Sequence, residues 1–294
     1  RAHSEDETDA LLEQADAFFQ RATELAPDYS EAYLLQSDWY AHQLSEPSEE
    51  LDDAALEALR ARQEELLISA YETAATETRR AIVDANMILF SENWQGARNV
   101  LEDALTSSEC AHDNWLQDFS RIYDNADQRL AYAEHLIGCD PLNPDIRLFF
   151  GQTLLDRGDY AAALDWGDDL AARGMTYESE VVRFDALLGL GRLDDAEAML
   201  QPHWEWERIR LAAMRGGETA REVIGPFVTD DADWFNMMMH AYLGEREAAN
   251  AIATAIDARP YGTLDLLTAV TSCRCGAPFD RDAVPNLSMR LAQA

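Results

Sequence analysis

A glycine followed five positions later by an alanine recurs three times in the second half of the chain, and each copy opens a new amphipathic stretch. The three pairs are Gly158 with Ala163, Gly191 with Ala196, and Gly244 with Ala249. The first two glycines lie 33 residues apart, about one helix–turn–helix repeat. Glycine can end a helix in the left-handed conformation, and a small alanine lets the next helix pack closely against it. The pattern therefore predicts a row of stacked helix hairpins.

Few residues in this chain can interrupt a helix. The 294 residues include only 14 glycines and 9 prolines, fewer than the usual share, and 47% of the residues are hydrophobic. Residues 49–91 contain neither glycine nor proline. We therefore expect an all-α fold with helices near 8–26, 29–44, 51–71, 73–90, 94–107, 113–123, 127–138, 144–156, 159–173, 178–189, 192–201, 203–215, 218–228, 231–243, 245–258 and 262–271.

Two long segments carry bulky, small and aromatic residues in a recurring order. They are QADAFFQRATELAPDYSEAYLLQSDWY at 14–40 and CDPLNPDIRLFFGQTLLDRGDYAAAL at 139–164. This order resembles the tetratricopeptide repeat (TPR) family, with recognisable units around 8–44, 86–110, 144–174, 177–201 and 230–260. The resemblance implies a right-handed α-solenoid of stacked antiparallel hairpins. We expect residues 8–271 to form this superhelix, residues 1–7 to form a flexible acidic tail and residues 272–294 to form a C-terminal cap. Residues 203–229 lack most of the signature positions of the repeat.

The resemblance also implies a function, because TPR proteins bind peptide segments in a concave groove through set positions of the first helix of each hairpin. The corresponding positions are Glu31, Leu34, Asp38, Asp145, Leu148, Gln152, Glu178, Val181, Asp185, Asp231, Trp234 and Met238. They describe an acidic groove with an apolar floor. We therefore expect a non-catalytic scaffold or adaptor whose partner is a basic, amphipathic protein or peptide segment.

The charge of the chain excludes several classes of partner and of chemistry. Acidic residues number 56 against 23 basic ones, every basic residue is arginine, and the formal net charge is −33. Nucleic-acid binding requires clustered positive charge, so no nucleic-acid partner is expected. A chain without lysine has neither the amine of a Walker-type phosphate loop nor that of a Schiff base. No apolar run is long enough to span a membrane, so direct membrane insertion is not expected.

Motifs for catalysis or for metal binding are weak throughout the sequence. The histidines form no HExxH motif, and the many acidic pairs suit helix N-termini, where carboxylates accept from free amides. We therefore expect no enzyme activity, no cofactor and no metal site. One alternative is an all-α enzyme that uses two facing carboxylates, as all-helical glycosidases do. Trp204 and Trp206 lie where the repeat signature lapses, and an exposed ring there would indicate a contact site.

The four cysteines leave their pairing open. Cys110 and Cys139 flank neighbouring predicted helices and suit a disulfide, whereas Cys273 and Cys275 could close a small strained ring; unpaired thiols are the alternative. The even count, with a chain that begins at Arg1, favours a periplasmic or otherwise exported location. The segments LFSENWQGARNVLEDAL and CAHDNW also resemble TPR regions of bacterial multidomain regulators. That resemblance implies an alternative function as the extracytoplasmic sensory or ligand-binding region of a larger regulator.

Overall fold

A computed structural model describes residues 5–45, 53–91, 93–111, 113–123, 125–259, 262–272 and 278–293. Over these residues the chain is all-helical and contains no strand, which confirms the all-α part of the predicted fold. The helices are α1 Glu5–Leu25, α2 Ser30–Ser45, α3 Asp53–Thr73, α4 Glu77–Ser91, α5 Ala97–Leu105, α6 Asn114–Ser120, α7 Ala126–Cys139, α8 Pro144–Asp156, α9 Tyr160–Ala172, α10 Thr176–Gly189, α11 Leu193–Met199, α12 Glu205–Arg215, α13 Gly217–Ile224, α14 Trp234–Tyr242, α15 Arg246–Asp257, α16 Gly262–Ser272 and α17 Pro285–Gln293.

Both ends of the chain differ from the sequence-based expectation. Helix α1 begins at Glu5, inside the segment expected to be a flexible tail. Helix α17 was not predicted, because the prolines and turn residues after Thr271 suggested an irregular cap. Pro285 occupies its first turn, where proline is compatible with a helix, and Leu287 is buried against α15 and α16. The predicted ring of Cys273 and Cys275 lies outside the described residues.

The glycine–alanine pairs form the turns that the sequence predicted. Gly158 has a φ of +79°, and Gly191 and Gly244 are also left-handed. After α8, the Gly158 amide donates to the Leu155 carbonyl and the Asp159 amide donates to the Leu154 carbonyl. The same two bonds recur after α10 and α14, and together they satisfy the last carbonyls of each helix. The three partner alanines are fully buried, so each pair starts a new packed hairpin.

Neighbouring helices pack in pairs along most of the chain, and alternate helices also touch. Helix α4 contacts α6, α8 contacts α10, and α14 contacts α16, while α5 contacts α7 on the other side. Gly151 allows the close approach of α8 and α10, because an added Cβ there would lie 2.6 Å from Cγ2 of Val182. Contacts between alternate helices thus join several of the neighbouring helix pairs.

The row of hairpins returns on itself at its C-terminal end. Helix α16 contacts both α2 and α6, and Leu266 and Ala269 of α16 share one continuous core with Ala41 of α2 and Leu116 of α6. Helix α16 thus packs on α2 and α6. It covers part of the surface of α2, a helix on which the sequence predicted partner contacts. This closure makes the first and last hairpins neighbours in space although more than 200 residues separate them in sequence.

Arginine–carboxylate pairs connect several of the described helices. Asp156 of α8 accepts from Arg129 of α7 at 2.7 Å and from Arg121 at 3.1 Å, which joins two hairpins. Carboxylates nevertheless outnumber arginines by more than two to one. The folded chain therefore carries a strong internal repulsion that dissolved salt can screen.

We expect the melting temperature to rise as NaCl increases from about 10 mM to about 0.5 M, because the Debye length falls from about 30 Å to a few ångström. Thermal melts followed by circular dichroism measure this. Sucrose at matched osmolality is the control, since it strengthens burial without screening charge. A melting temperature that stays level or falls with salt would contradict the expectation.

Candidate functional site

The groove residues predicted on α2 mainly hold α2 to its neighbours. Glu31 forms an ion pair with Arg79 of α4. Leu34 packs against the main core. A carboxylate oxygen of Asp38 accepts from the Trp115 indole N–H of α6 at 2.5 Å. These three side chains stabilise the packing of the first hairpins, and each is already engaged within the protein.

The groove residues predicted on α8 and α10 lie at the surface of two packed helices. Asp145 is exposed, and the other four are partly exposed: Leu148, Gln152, Glu178 and Val181. The close approach of α8 and α10 at Gly151 brings the two helices side by side. The structure therefore leaves this part of the predicted footprint accessible to a partner.

Asp185, also predicted to meet a partner, belongs instead to a buried polar group. Its carboxylate forms an ion pair with Arg210 of α12 at 2.7 Å, and both side chains are largely buried. Burial disfavours the charged guanidinium of Arg210, but Asp185 outweighs this and raises the pKa of Arg210. Tyr242 of α14 lies close by, and burial raises its pKa to about 12. The group thus links α10, α12 and α14.

The predicted residues near α14 divide between the surface and the core. Asp231 is exposed and accepts from the Thr229 hydroxyl. Trp234 is half-buried. Met238 is fully buried, so its prediction as a partner contact is corrected: its helix turns that position towards the core. Of these three residues, Asp231 and Trp234 remain available to a partner.

Trp234 belongs to a group of five half-buried rings, here called the aromatic cluster: Trp206, Phe227, Trp234, Phe235 and Tyr242. The Trp206 ring centroid lies 6.5 Å from that of Trp234 and 5.9 Å from those of Phe235 and Tyr242. Phe227 lies 6.5 Å from Phe235. The sequence therefore named two separate contact regions, at Trp206 and at Trp234, that the structure places in one cluster.

Acidic side chains border the aromatic cluster. Glu207 follows Trp206 in α12 and acts electrostatically on Arg210. Asp231 and Asp233 precede Trp234, and Asp233 accepts from the Asn236 amide at 2.6 Å as the N-cap of α14. Trp204, the other tryptophan of this region, packs against Phe184 and lies apart from the cluster. The result is an aromatic surface with negative charge around it.

Sequence reasoning missed four residues of this region: Arg210, Phe227, Phe235 and Tyr242. A usable signal was present for one of them. Trp206 and Arg210 are four residues apart in the same helix, a spacing that puts two side chains on one face. Phe227 follows α13, and Phe235 and Tyr242 lie in α14. Only long-range packing brings these three rings to Trp206.

A second group of polar side chains lies beside the disulfide between Cys110 and Cys139. The His135 ring nitrogen Nε2 lies 3.1 Å from the Glu109 carbonyl oxygen and 3.7 Å from Sγ of Cys139. Within the described part of the chain, these two cysteines and His135 are the one group with metal-binding spacing. The two sulfurs are bonded to each other, however, and a disulfide sulfur is not the thiolate that zinc binds.

Asp113 is a half-buried carboxylate at the start of α6. Its Oδ1 accepts from the Leu116 amide at 2.7 Å and from the Asn86 side chain at 3.2 Å. Burial raises its pKa to about 6 despite these two bonds, and the charges of Asp38 and Asp118 add to the rise. These contacts make Asp113 the N-cap of α6, the structural role expected of most acidic residues here.

The raised pKa of Asp113 predicts a specific pH dependence. Between about pH 4 and about pH 6 the folded state keeps a proton that the unfolded chain has released, so stability falls as pH rises through this window. The variant Asp113→Asn retains the accepting oxygen and cannot ionise. We expect it to exceed the wild type in unfolding free energy by up to about 3 kcal/mol at pH 7.5 and to match it below about pH 4.

Urea unfolding of both proteins across this pH range measures the difference in unfolding free energy. The contributions of the other carboxylates cancel, because both proteins contain them. A difference that is constant with pH would show that Asp113 ionises with the same pKa in the folded and unfolded states.

No protein-family model matches the chain, and no curated protein is significantly similar to it. Among the helices of the described residues, none combines the length and hydrophobicity needed to cross a bilayer.

Proposed function

We propose that this chain is a non-catalytic, TPR-like binding protein, a right-handed solenoid whose aromatic cluster receives a basic protein segment with apolar anchors. The observation that carries the proposal is the meeting of Trp206 and Trp234 in a half-buried, five-ring cluster bordered by carboxylates. Half-buried aromatic side chains are the residues that most often dominate protein–protein binding energies.

The chemistry of the cluster suits a cation beside an apolar group. The faces of Trp and Tyr rings attract Arg or Lys side chains, and the carboxylates of Glu207, Asp231 and Asp233 add Coulomb attraction. An acidic partner would meet the net charge of −33, and the chain has no lysine with which to grip a terminal carboxylate. Binding is therefore expected to weaken as salt increases.

The accessible residues of α8 and α10 extend the proposed footprint. Leu148 and Val181 supply apolar contacts there, and Glu178 supplies charge. The buried Asp185–Arg210 pair joins α10 to α12, so it holds this surface in a constant position relative to the aromatic cluster. An amphipathic segment that lies across α8, α10, α12 and α14 fits this arrangement.

The Cys110–Cys139 disulfide supports an oxidising location, such as the periplasm, for this activity. Disulfides persist in exported proteins and are rare in the reducing cytosol. The proposed partner would accordingly be another exported protein or the exposed segment of a membrane protein.

An array of peptides in which Arg, Lys, Asp and Leu contents vary tests the proposed specificity. We expect Arg- and Leu-containing peptides to bind and Asp-containing ones not to bind. With the strongest peptide, Trp206→Ala and Trp234→Ala should each weaken the affinity measured by calorimetry by about 1–2 kcal/mol. Circular dichroism of each variant establishes that it is folded.

The matched control is Tyr29→Ala, which removes an exposed aromatic ring from the turn before α2, outside the cluster and outside α8 and α10, and should leave the affinity unchanged. Preferential binding of acidic peptides, or equal affinities of both folded tryptophan variants and the wild type, would exclude the cluster as the site.

A further inference from the structure

A cavity of about 300 Å³ lies between α3 and α4, distant in sequence from the aromatic cluster. Among the side chains that border it are Gln63, Glu64, Leu67, Asp84, Met87 and Phe90. Its volume is at the lower end of the range of small-molecule sites. Apolar side chains and a few polar groups line it together, which is the usual composition of such sites.

Gln63 contributes a hydrogen-bond donor that has no acceptor within the described chain. The residue is 1% exposed, and its side-chain Nε2 is buried without a hydrogen-bond partner. Buried polar groups almost always have a partner, since leaving one unpaired is costly. Gln63 borders the cavity, and a rotation of its amide towards the cavity would let an oxygen of a bound molecule accept from Nε2.

Two carboxylates give the cavity its charge. Glu64 borders it from α3 and Asp84 from α4. Burial raises the pKa of Asp84, because the carboxylate loses hydration. Arg60 also borders the cavity, and its guanidinium forms an ion pair with Glu57 at 4.0 Å. A positively charged group placed between the two carboxylates would compensate Asp84.

We propose that this cavity binds a small organic amine that carries an apolar ring or chain and a hydrogen-bond-accepting oxygen. The ammonium group pairs with Asp84 and Glu64, the apolar part lies against Leu67, Met87 and Phe90, and the oxygen accepts from Gln63. A hard metal ion suits the cavity less well, because such ions require six or more oxygen ligands and much of this lining is apolar.

Calorimetric titration of the full chain with three matched probes tests the proposal. Tyramine carries the amine, the ring and the oxygen; phenethylamine lacks the oxygen; and hydrocinnamate has a carboxylate in place of the amine. We expect tyramine to bind more tightly than phenethylamine and hydrocinnamate not to bind.

Variants assign each contact of the proposed site. Asp84→Asn should weaken tyramine binding by about tenfold or more, the effect of losing one charge-assisted contact. Gln63→Leu should abolish the preference for tyramine over phenethylamine. The matched control is Glu72→Gln, which neutralises an exposed carboxylate of α3 outside the cavity and should change neither affinity.

The melting temperature of the ligand-free protein provides a second test, which does not depend on ligand binding. Because Gln63→Leu removes an unpaired buried donor and keeps a similar shape, its melting temperature should equal or exceed that of the wild type. A clearly lower melting temperature would show that the Gln63 amide is already satisfied. That result, absence of tyramine binding at millimolar concentration, or equal binding of hydrocinnamate would overturn the proposal.

Discussion

Replacing Asp185 with alanine should lower the free energy of unfolding by about 3–5 kcal/mol, because the change leaves the guanidinium of Arg210 buried without its counter-charge. Asp185 is 7% exposed, and its carboxylate lies 2.7 Å from Arg210. The guanidinium also lies 5.9 Å from the Phe184 ring centroid. Urea unfolding at neutral pH measures the effect.

A matched control is an aspartate of α11 that also pairs with an arginine of α12. Asp194 pairs with Arg215 of α12 at 3.1 Å, and the Asp194 side chain is fully exposed. Surface pairs contribute little to stability because water and salt screen them, so Asp194→Ala should leave the unfolding curve nearly unchanged. If Asp185→Ala behaves like this control, then solvent reaches Arg210 and the pair is not buried in solution.

The double variant Asp185→Leu with Arg210→Met should recover most of the loss, since apolar residues of similar volume often replace a buried ion pair without cost. Because Asp185 is buried, its prediction as a partner contact in the groove is wrong. A charge reversal there would place two guanidinium groups in one buried site and unfold the region, so it cannot serve as a test of partner binding.

Breaking the Cys110–Cys139 disulfide should cost about 3–4 kcal/mol. The two cysteines lie 29 residues apart, and a cross-link of this span removes a corresponding loop-closure entropy from the unfolded chain. The closed loop contains α6, a helix of seven residues. Helices this short are not stable by themselves, so α6 depends on the tertiary contacts that the disulfide helps to maintain.

Unfolding of the double variant Cys110→Ser with Cys139→Ser measures this cost. Wild-type protein treated with a thiol reductant is the control for the substitutions themselves and should unfold at the same urea concentration as the variant. In denaturant, the non-reduced wild type should show no more than two free thiols of its four cysteines. Four free thiols would contradict both the disulfide and the exported location that it supports.

Local signals predicted the helices with good accuracy. Gly158, Gly191 and Gly244 end their helices in the left-handed conformation as expected, and Asn143, followed by proline, caps α8 as its sequence suggests. Capping and helix periodicity depend on residues within about four positions of one another, so one sequence contains all the information they need. The same reasoning failed for α17, where prolines that permit a helix start were interpreted as turn signals.

The arrangement of side chains from distant helices could be predicted much less well. The predicted positions did include Trp234 and Asp231 of the candidate site, because the repeat pattern places them on the first helix of a hairpin. The repeat pattern did not distinguish the exposed Asp145 from the buried Asp185, although it predicted both as partner contacts on neighbouring repeats. A carboxylate has the same sequence signature in both environments, and only the presence of Arg210 opposite Asp185 decides between them.

The sequence by itself determined the all-α class, the hairpin turns and the strong negative charge, since these follow from composition and from contacts between near neighbours in the chain. Only the tertiary structure decided that α16 closes against α2 and α6, and that Trp206 and Trp234 form one cluster. The physical reason is that these meetings depend on packing between helices far apart in the chain. Capping and helix periodicity depend only on near neighbours, so no local pattern encodes which distant surfaces meet.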